Sequence, residues 1–162
     1  MPTRDPFGDF EPLVRRVYGY VAYRIGAGPD SEDVTSECFE RALRYRSSYD
    51  AERGAPATWL IGIARRCVDD WLGQRREGLP ESALDRAGHG DLEEVVLGRL
   101  SLEQALSRLP PRDRELVALR YGADLSARRI AELTGSTVNA IEVALHRAVV
   151  RLRGELERQD AE

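Results

Sequence analysis

SARRIAELTGSTVNAIEVALHRAVVRLR, residues 126–153, decides the fold. It reads as two short helices and a tight turn, with Ser126 starting one helix, Gly135 in the turn and Thr137 starting the next. Serine and threonine suit those starts because their side-chain oxygens accept backbone N–H groups that a helix beginning leaves unpaired. Ala131, Gly135 and Ile141 supply a small residue where the helices cross, a glycine to turn the chain and an aliphatic to fill the junction. That combination predicts a helix-turn-helix, whose second helix lies in a DNA major groove. An ordinary helical hairpin satisfies the same stretch taken alone.

Working upstream, Pro110-Pro111 breaks a helix that runs from about Leu92 to Arg108, and Pro111 opens the next, which reaches Tyr121 before Gly122. Between Arg76 and Asp91 the chain is polar, rich in glycine and without helical or strand period, as expected of a linker. Before it, Phe10–Ile25 carries an apolar stripe at helical spacing, stopped by Gly26, Gly28 and Pro29. Asp30 reads as the N-cap of a second helix extending to about Tyr45, with Val34, Cys38, Ala42 and Tyr45 inward. Asp33, Glu37, Glu40 and Arg41 face outward, either as a solvated face or as an acidic docking strip. RSSYDAERGAPA (46–57) is a polar loop with one aromatic, suited to plain connection or to stacking a base. A third amphipathic helix, Thr58–Gln74, aligns both tryptophans with its aliphatic face and leaves Arg65 and Arg66 toward solvent or phosphate. The expectation is therefore all-α: two small helical domains, residues 1–75 and 92–162, joined by a flexible linker at 76–91.

Composition narrows the function. All 24 basic residues are arginine against 28 acids, for a net charge of −4. Residues 44–78 carry a charge of +2 (7 Arg, 5 acids) and 108–162 one of +1 (10 Arg, 9 acids), while 79–107 carry −4 (2 Arg, 6 acids). A protein gripping duplex DNA unaided usually has a stronger basic excess, so a partner is expected to help. Cys38 and Cys67 read as buried small hydrophobes rather than a disulfide. No metal-ligand spacing, phosphate loop or nucleophile–base pair is present, so no cofactor, metal or catalysis is expected. The N-terminal MPTRDPFGDFEP has no apolar signal core and no run is long enough to span a bilayer, which leads us to expect a cytoplasmic protein without membrane insertion.

Three motifs together resemble the extracytoplasmic-function sigma factors of bacterial RNA polymerase. SEDVTSECFERALR (31–44) is similar to that family's core-polymerase-binding helix. YDAERGAPATWLIGIARRCVDDWL (49–72) is similar to the segment that melts and reads the minus-ten element. LEQALSRLPPRDRELVALRYGADLSARRIAELTG (102–135), with the LHRA…RLR after it, resembles the minus-thirty-five-binding domain. The resemblance implies core RNA polymerase, promoter DNA and an anti-sigma factor as partners. It assigns core docking to Asp33, Glu37, Glu40 and Arg41, with Ser36 standing where the family usually has glutamine. It assigns the minus-ten strand to Tyr49, Asp50, Glu52, Arg53, Arg65 and Arg66. Minus-thirty-five contacts fall to Arg128, Arg129, Thr137, Asn139, Glu142, Val143, His146, Arg147 and Arg151. Here the chain departs from the family: Glu142, Val143 and Ala144 occupy a turn where many relatives carry basic or hydroxyl residues. That substitution leaves open a sigma-like adaptor or antagonist that reads DNA weakly, and a free-standing repressor is a third alternative.

Overall fold

Periodic apolar residues, proline at first turns and glycine at stops build a succession of helices. The computed structural model describes residues 7–78 and 94–162, and no strand occurs among them. The elements are α1 (Phe10–Ile25), α2 (Pro29–Arg44), a 3-10 turn (Arg46–Ser48), α3 (Pro56–Gly78), α4 (Glu94–Arg108), α5 (Pro111–Val117), α6 (Ala127–Thr134) and α7 (Val138–Asp160). A five-residue π-helical segment, Ala118–Gly122, continues α5. The expected linker, beyond the last turn of α3, lies outside the described residues.

α1, α2 and α3 pack as a three-helix unit around Val17, Tyr20, Val21, Val34, Cys38, Leu60, Ile61, Ala64 and Val68, all buried. Each fully buried aliphatic of this size contributes about 1.5–3 kcal/mol of transfer free energy. Both cysteines are free and sit inside this core, where contact with Cys67, together with burial, pushes the Cys38 thiol up. The second unit stacks α4, α5 and α6 on α7. Leu106, Leu109, Val117 and Ala148 fill its far end.

The helix-turn-helix forms as its caps dictate. Ser126 accepts from the Arg129 N–H at 3.2 Å, Gly135 adopts the left-handed φ of 70°, and Thr137 accepts from the Ala140 N–H at 3.1 Å. Ala131 and Ile141 are buried at the crossing.

Several local readings differ. α2 begins two residues earlier than its capping pattern suggests, with Gly28 at the N-cap and Pro29 at the first helical position. Proline's fixed φ suits that position, so Asp30 falls inside the first turn and its carboxylate meets Arg75 at 3.3 Å instead of capping. Tyr45 is 54% exposed, not inward, because the chain leaves α2 at Arg44 and turns away. α3 starts at Pro56 rather than Thr58, again with proline in the first turn.

The largest difference concerns the two units, which the sequence presents as separate modules. They share one core: Leu116, Leu119, Leu125, Ile130 and Ile141 cluster with the apolar residues of α1–α3. Gly19 of α1 and Gly122 of the π segment let two backbones touch, and a Cβ on Gly19 would lie 2.2 Å from the Gly122 carbonyl oxygen. Arg16 donates to the carbonyls of Ala123 (2.8 Å) and Asp124 (3.0 Å), and Arg114 donates to that of Tyr23 (2.8 Å). The Ala123 and Asp124 acceptors lie just past the π segment, where the chain runs beside α1.

Candidate nucleic-acid and polymerase interfaces

Three surfaces collect the residues singled out above. The first is the outer face of α2. Asp33, Glu37 and Glu40 are all exposed there, each held by a helix whose other side is buried. Arg41 crosses between carboxylates, 2.6 Å from Glu37 and 2.9 Å from Asp70. Those bonds, with Asp70 the stronger, hold the Arg41 guanidinium charged and raise its pKa. Asp70, on α3, had no signal in the sequence because nothing local ties α3 to α2. The strip Asp33–Glu37–Glu40 is thus acidic, with Arg41 already paired within it and Arg44 at its end.

The second surface is the loop between α2 and α3. Tyr49 donates to the Gly54 carbonyl at 3.1 Å, and the Asp50 carboxylate accepts from the Glu52 N–H at 2.9 Å, so the loop is closed on itself. The Tyr49 ring stands edge-on to Trp59 and to Phe7, both at 5.4 Å between centroids. Burial, with the Asp50 charge, raises the Tyr49 phenol pKa and keeps it a donor at neutrality. A cavity of about 620 Å³ opens beside this cluster, lined by Tyr49, Asp50, Arg53, Trp59 and Arg66 and on its far side by Glu132 and Leu133 of α6. Aromatic faces beside guanidinium groups form a place where an unstacked base and its phosphate can be held together. Arg53 is exposed with Asp50 3.7 Å away, Glu52 is exposed, and Arg66 is exposed. Arg65 differs from expectation. Its Nε binds Glu115 Oε1 of α5 at 2.7 Å and its Nη1 reaches the Leu133 carbonyl at 3.4 Å, so it faces the second unit rather than solvent. Trp59, read as core from its register, is half-buried and forms a wall of the cavity instead.

The third surface is the outward side of α6 and α7. Asn139, Glu142, Val143, His146 and Arg147 are exposed along α7, and Thr137 caps its start. Val143 is 44% exposed, an apolar side chain held toward solvent. Arg128 and Arg129 project from α6, each within ion-pair range of Glu132 (3.6 and 3.3 Å). Arg151 is tied to the buried Asp113 of α5, which anchors α7 rather than presenting a fully free cation.

The sequence model for Sigma-70 region 2 matches residues 10–77, and that for Sigma-70 region 4 matches residues 99–152. The RNA polymerase sigma-E factor of Streptomyces antibioticus is 33% identical over 94% of this chain and 87% of its own length. The chain belongs to the extracytoplasmic-function sigma factors. The sigma factor SigD of Mycobacterium tuberculosis is 32% identical over 94% of this chain and 76% of its own. BldN of Streptomyces coelicolor is 32% identical over 90% of this chain, which spans 58% of BldN. Among solved structures, a sigma factor RpoE from Bartonella quintana in complex with the anti-sigma factor NepR superposes with a TM-score of 0.70. Identity is 19%, and the match covers 90% of this chain and 92% of that one. CnrH, in complex with the cytosolic domain of CnrY, gives 0.64 at 20% identity, covering 91% and 81%. These last two likenesses concern the fold. As a sigma factor the chain is a promoter-specificity subunit of RNA polymerase and not an enzyme. Among its described residues no helix is long and apolar enough to cross a membrane.

Proposed function

We propose that this sigma factor works in the cytoplasm, with residues 1–75 docking on core polymerase and reading the minus-ten strand. Residues 92–162 then grip the minus-thirty-five duplex, and 76–91 serve as tether. The observation that carries this reading is the Tyr49–Trp59–Phe7 cluster beside Arg53 and Arg66, an aromatic and cationic pocket on the unit that matches region 2. Asp33, Glu37 and Glu40 supply a carboxylate strip complementary to a basic polymerase surface, and Arg41 positions Glu37 within it. Extruding a base costs a few kcal/mol, which stacking on Tyr49 and Trp59 and contacts from Asp50 and Glu52 offset. Arg53, Arg65 and Arg66 hold adjacent phosphates.

On α7, Asn139 suits adenine, Glu142 suits the cytosine amino group, and Val143 meets a thymine methyl. Thr137 and His146 complete the base-facing set, with Arg128, Arg129, Arg147 and Arg151 toward phosphate. With Glu142 repelling phosphate and Val143 unable to hydrogen-bond, this half binds weakly alone and polymerase supplies most of the affinity. An anti-sigma factor is a further partner of this reading, supported by the complexes in which two structural neighbours were solved.

Exposed Val138, Val143 and Val150 on α7 also fit an adaptor that engages protein rather than duplex. Transcription in vitro with purified core polymerase separates the two: a sigma factor yields a promoter-dependent transcript, and an adaptor yields none.

A further inference from the structure

A second cavity, of about 430 Å³, adjoins the one beside Tyr49. It lies where α2 ends and the 3-10 turn begins, against the first half of α3. It shares Ser48, Trp59 and Arg66 with the first cavity and adds Arg41, Arg44 and Tyr45. Trp59 and Arg66 therefore stand as a wall between two neighbouring hollows. The volume falls within the range of pockets that take small organic groups, about 300–1,000 Å³.

The end of this cavity at Tyr45 is built by hydrogen bonds. The Tyr45 N–H donates to the Arg41 carbonyl at 2.9 Å, and the Tyr45 carbonyl accepts from the Ser48 N–H at 2.9 Å and from Ser48 Oγ at 2.7 Å. The turn so fixed leaves the Tyr45 side chain exposed beside the end of α2. The three guanidinium groups differ in what they have left to bind. Arg41 is committed to Glu37 and Asp70. Arg44 and Arg66 are exposed, and neither has a hydrogen bond or an ion pair among the described residues. In the first cavity, by contrast, Arg65 is paired with Glu115 and Arg53 stands 3.7 Å from Asp50. Among the described residues, no carboxylate lines the second cavity. Two unpaired guanidinium groups with no acid between them suit a phosphodiester, and an exposed phenol ring is a platform for a base.

Resting on the promoter-reading function above, we propose that this cavity is a second nucleotide subsite for the promoter strand. The strand that sets one base against Tyr49 and Trp59 crosses the Trp59–Arg66 wall, and an adjacent nucleotide lies in the second cavity. Its phosphate sits between Arg44 and Arg66, and its base stacks on Tyr45. With both free guanidinium groups on the phosphate, the base is held by its face and not read along its edge. This position therefore accepts any base, since every base has a π-face to stack. The first cavity, with the Asp50 carboxylate in its lining, is the one that distinguishes bases.

The test uses holoenzyme of core polymerase and the full chain. Its probes are labelled single-stranded minus-ten oligonucleotides in which each nucleotide in turn is made abasic or exchanged for the other bases. Fluorescence anisotropy on wild type is expected to find two adjacent positions where base removal weakens binding about tenfold, the order of one stacked base. Only one of the two should also respond to base identity. Tyr45→Ala should abolish the abasic penalty at the identity-blind position and leave the other intact. Arg44→Gln should weaken every strand alike and lower the slope of log affinity against log salt by about 0.7, as for one phosphate contact on a single strand. Arg44 also steadies the end of α2 as a last-turn cation, a role that moves a thermal melt but not the salt slope. Variants that bind all strands like wild type overturn the second subsite, and so does one base-sensitive position in place of two. A fluorescent nucleoside triphosphate bound by the free wild-type chain and not by its Arg44→Gln variant assigns the cavity to a free nucleotide and overturns the strand assignment. If Tyr49→Ala alone weakens strand binding, the promoter reading stands and the second subsite falls. If no variant changes strand binding, Tyr49→Ala included, and wild type yields no promoter-dependent transcript, the promoter reading fails and the subsite with it.

Discussion

Tyr49 connects loop geometry to base reading closely enough for its replacement to be predicted in steps. Tyr49→Phe removes one hydrogen bond, hydroxyl to Gly54 carbonyl at 3.1 Å in a partly exposed setting. Such a bond is worth about 1 kcal/mol net, so the loop loosens and strand affinity falls about fivefold. Tyr49→Ala also removes two edge-on ring contacts, to Phe7 and to Trp59, each worth about 1 kcal/mol beyond area burial. The total of about 3 kcal/mol corresponds to a loss on the order of a hundredfold. Fluorescence anisotropy of holoenzyme on a labelled minus-ten non-template strand reads both, and duplex carrying only the minus-thirty-five element serves as control. The reasoning is refuted if phenylalanine costs as much as alanine. It is also refuted if minus-thirty-five binding falls in parallel, since that would mark general unfolding rather than loss of a reading pocket.

Three further outcomes follow from named contacts. Thr137→Ala should lower stability by about 1 kcal/mol, through loss of the bond from the Ala140 N–H, and a thermal melt that does not shift would contradict the cap. Asp113→Asn leaves Arg151 without its carboxylate and should cost about 1–3 kcal/mol of stability by denaturant titration, toward the lower end because Arg151 is half exposed. Burial, then the Glu115 charge, raises the Tyr20 phenol well above the ordinary 10.0. A group whose folded pKa is raised stabilises fully below its unfolded pKa, and that contribution is lost as pH rises toward the folded one. Alkaline titration should therefore show Tyr20 ionising last among the six tyrosines, together with an increase in radius. Ionisation of all six near pH 10 with no change in size would contradict it.

The parts of this fold that were legible in sequence are those fixed by local backbone chemistry. Ser126, Gly135 and Thr137 act within four residues of themselves, satisfying an N–H or permitting a left-handed turn, and each is found where its chemistry requires. The apolar stripe of α1 and the buried face of α2 through Val34, Cys38 and Ala42 follow from period alone. Asp30 misled because two start signals compete two residues apart, and proline's fixed φ prevails over a side-chain cap. Arg65, Arg41 and Arg151 read as exposed cations because their partners, Glu115, Asp70 and Asp113, lie 50, 29 and 38 positions away, and no periodicity links helices across that distance. Gly19 was invisible for the same reason. Within α1 it looks like a weak helix residue, and only the approach of Gly122 gives it a purpose. Trp59 shares its helix face with aliphatics, so register alone could not distinguish a core ring from one at the rim of a cavity.

Site-specific photo-crosslinking in a transcription-competent complex tests the central claim most directly. A crosslinker at position 50, beside the Tyr49–Trp59 cavity, should label the non-template strand at the minus-ten element, while one at position 40 labels core polymerase. Labelling of duplex upstream from position 50, or of no DNA at all, would contradict the account.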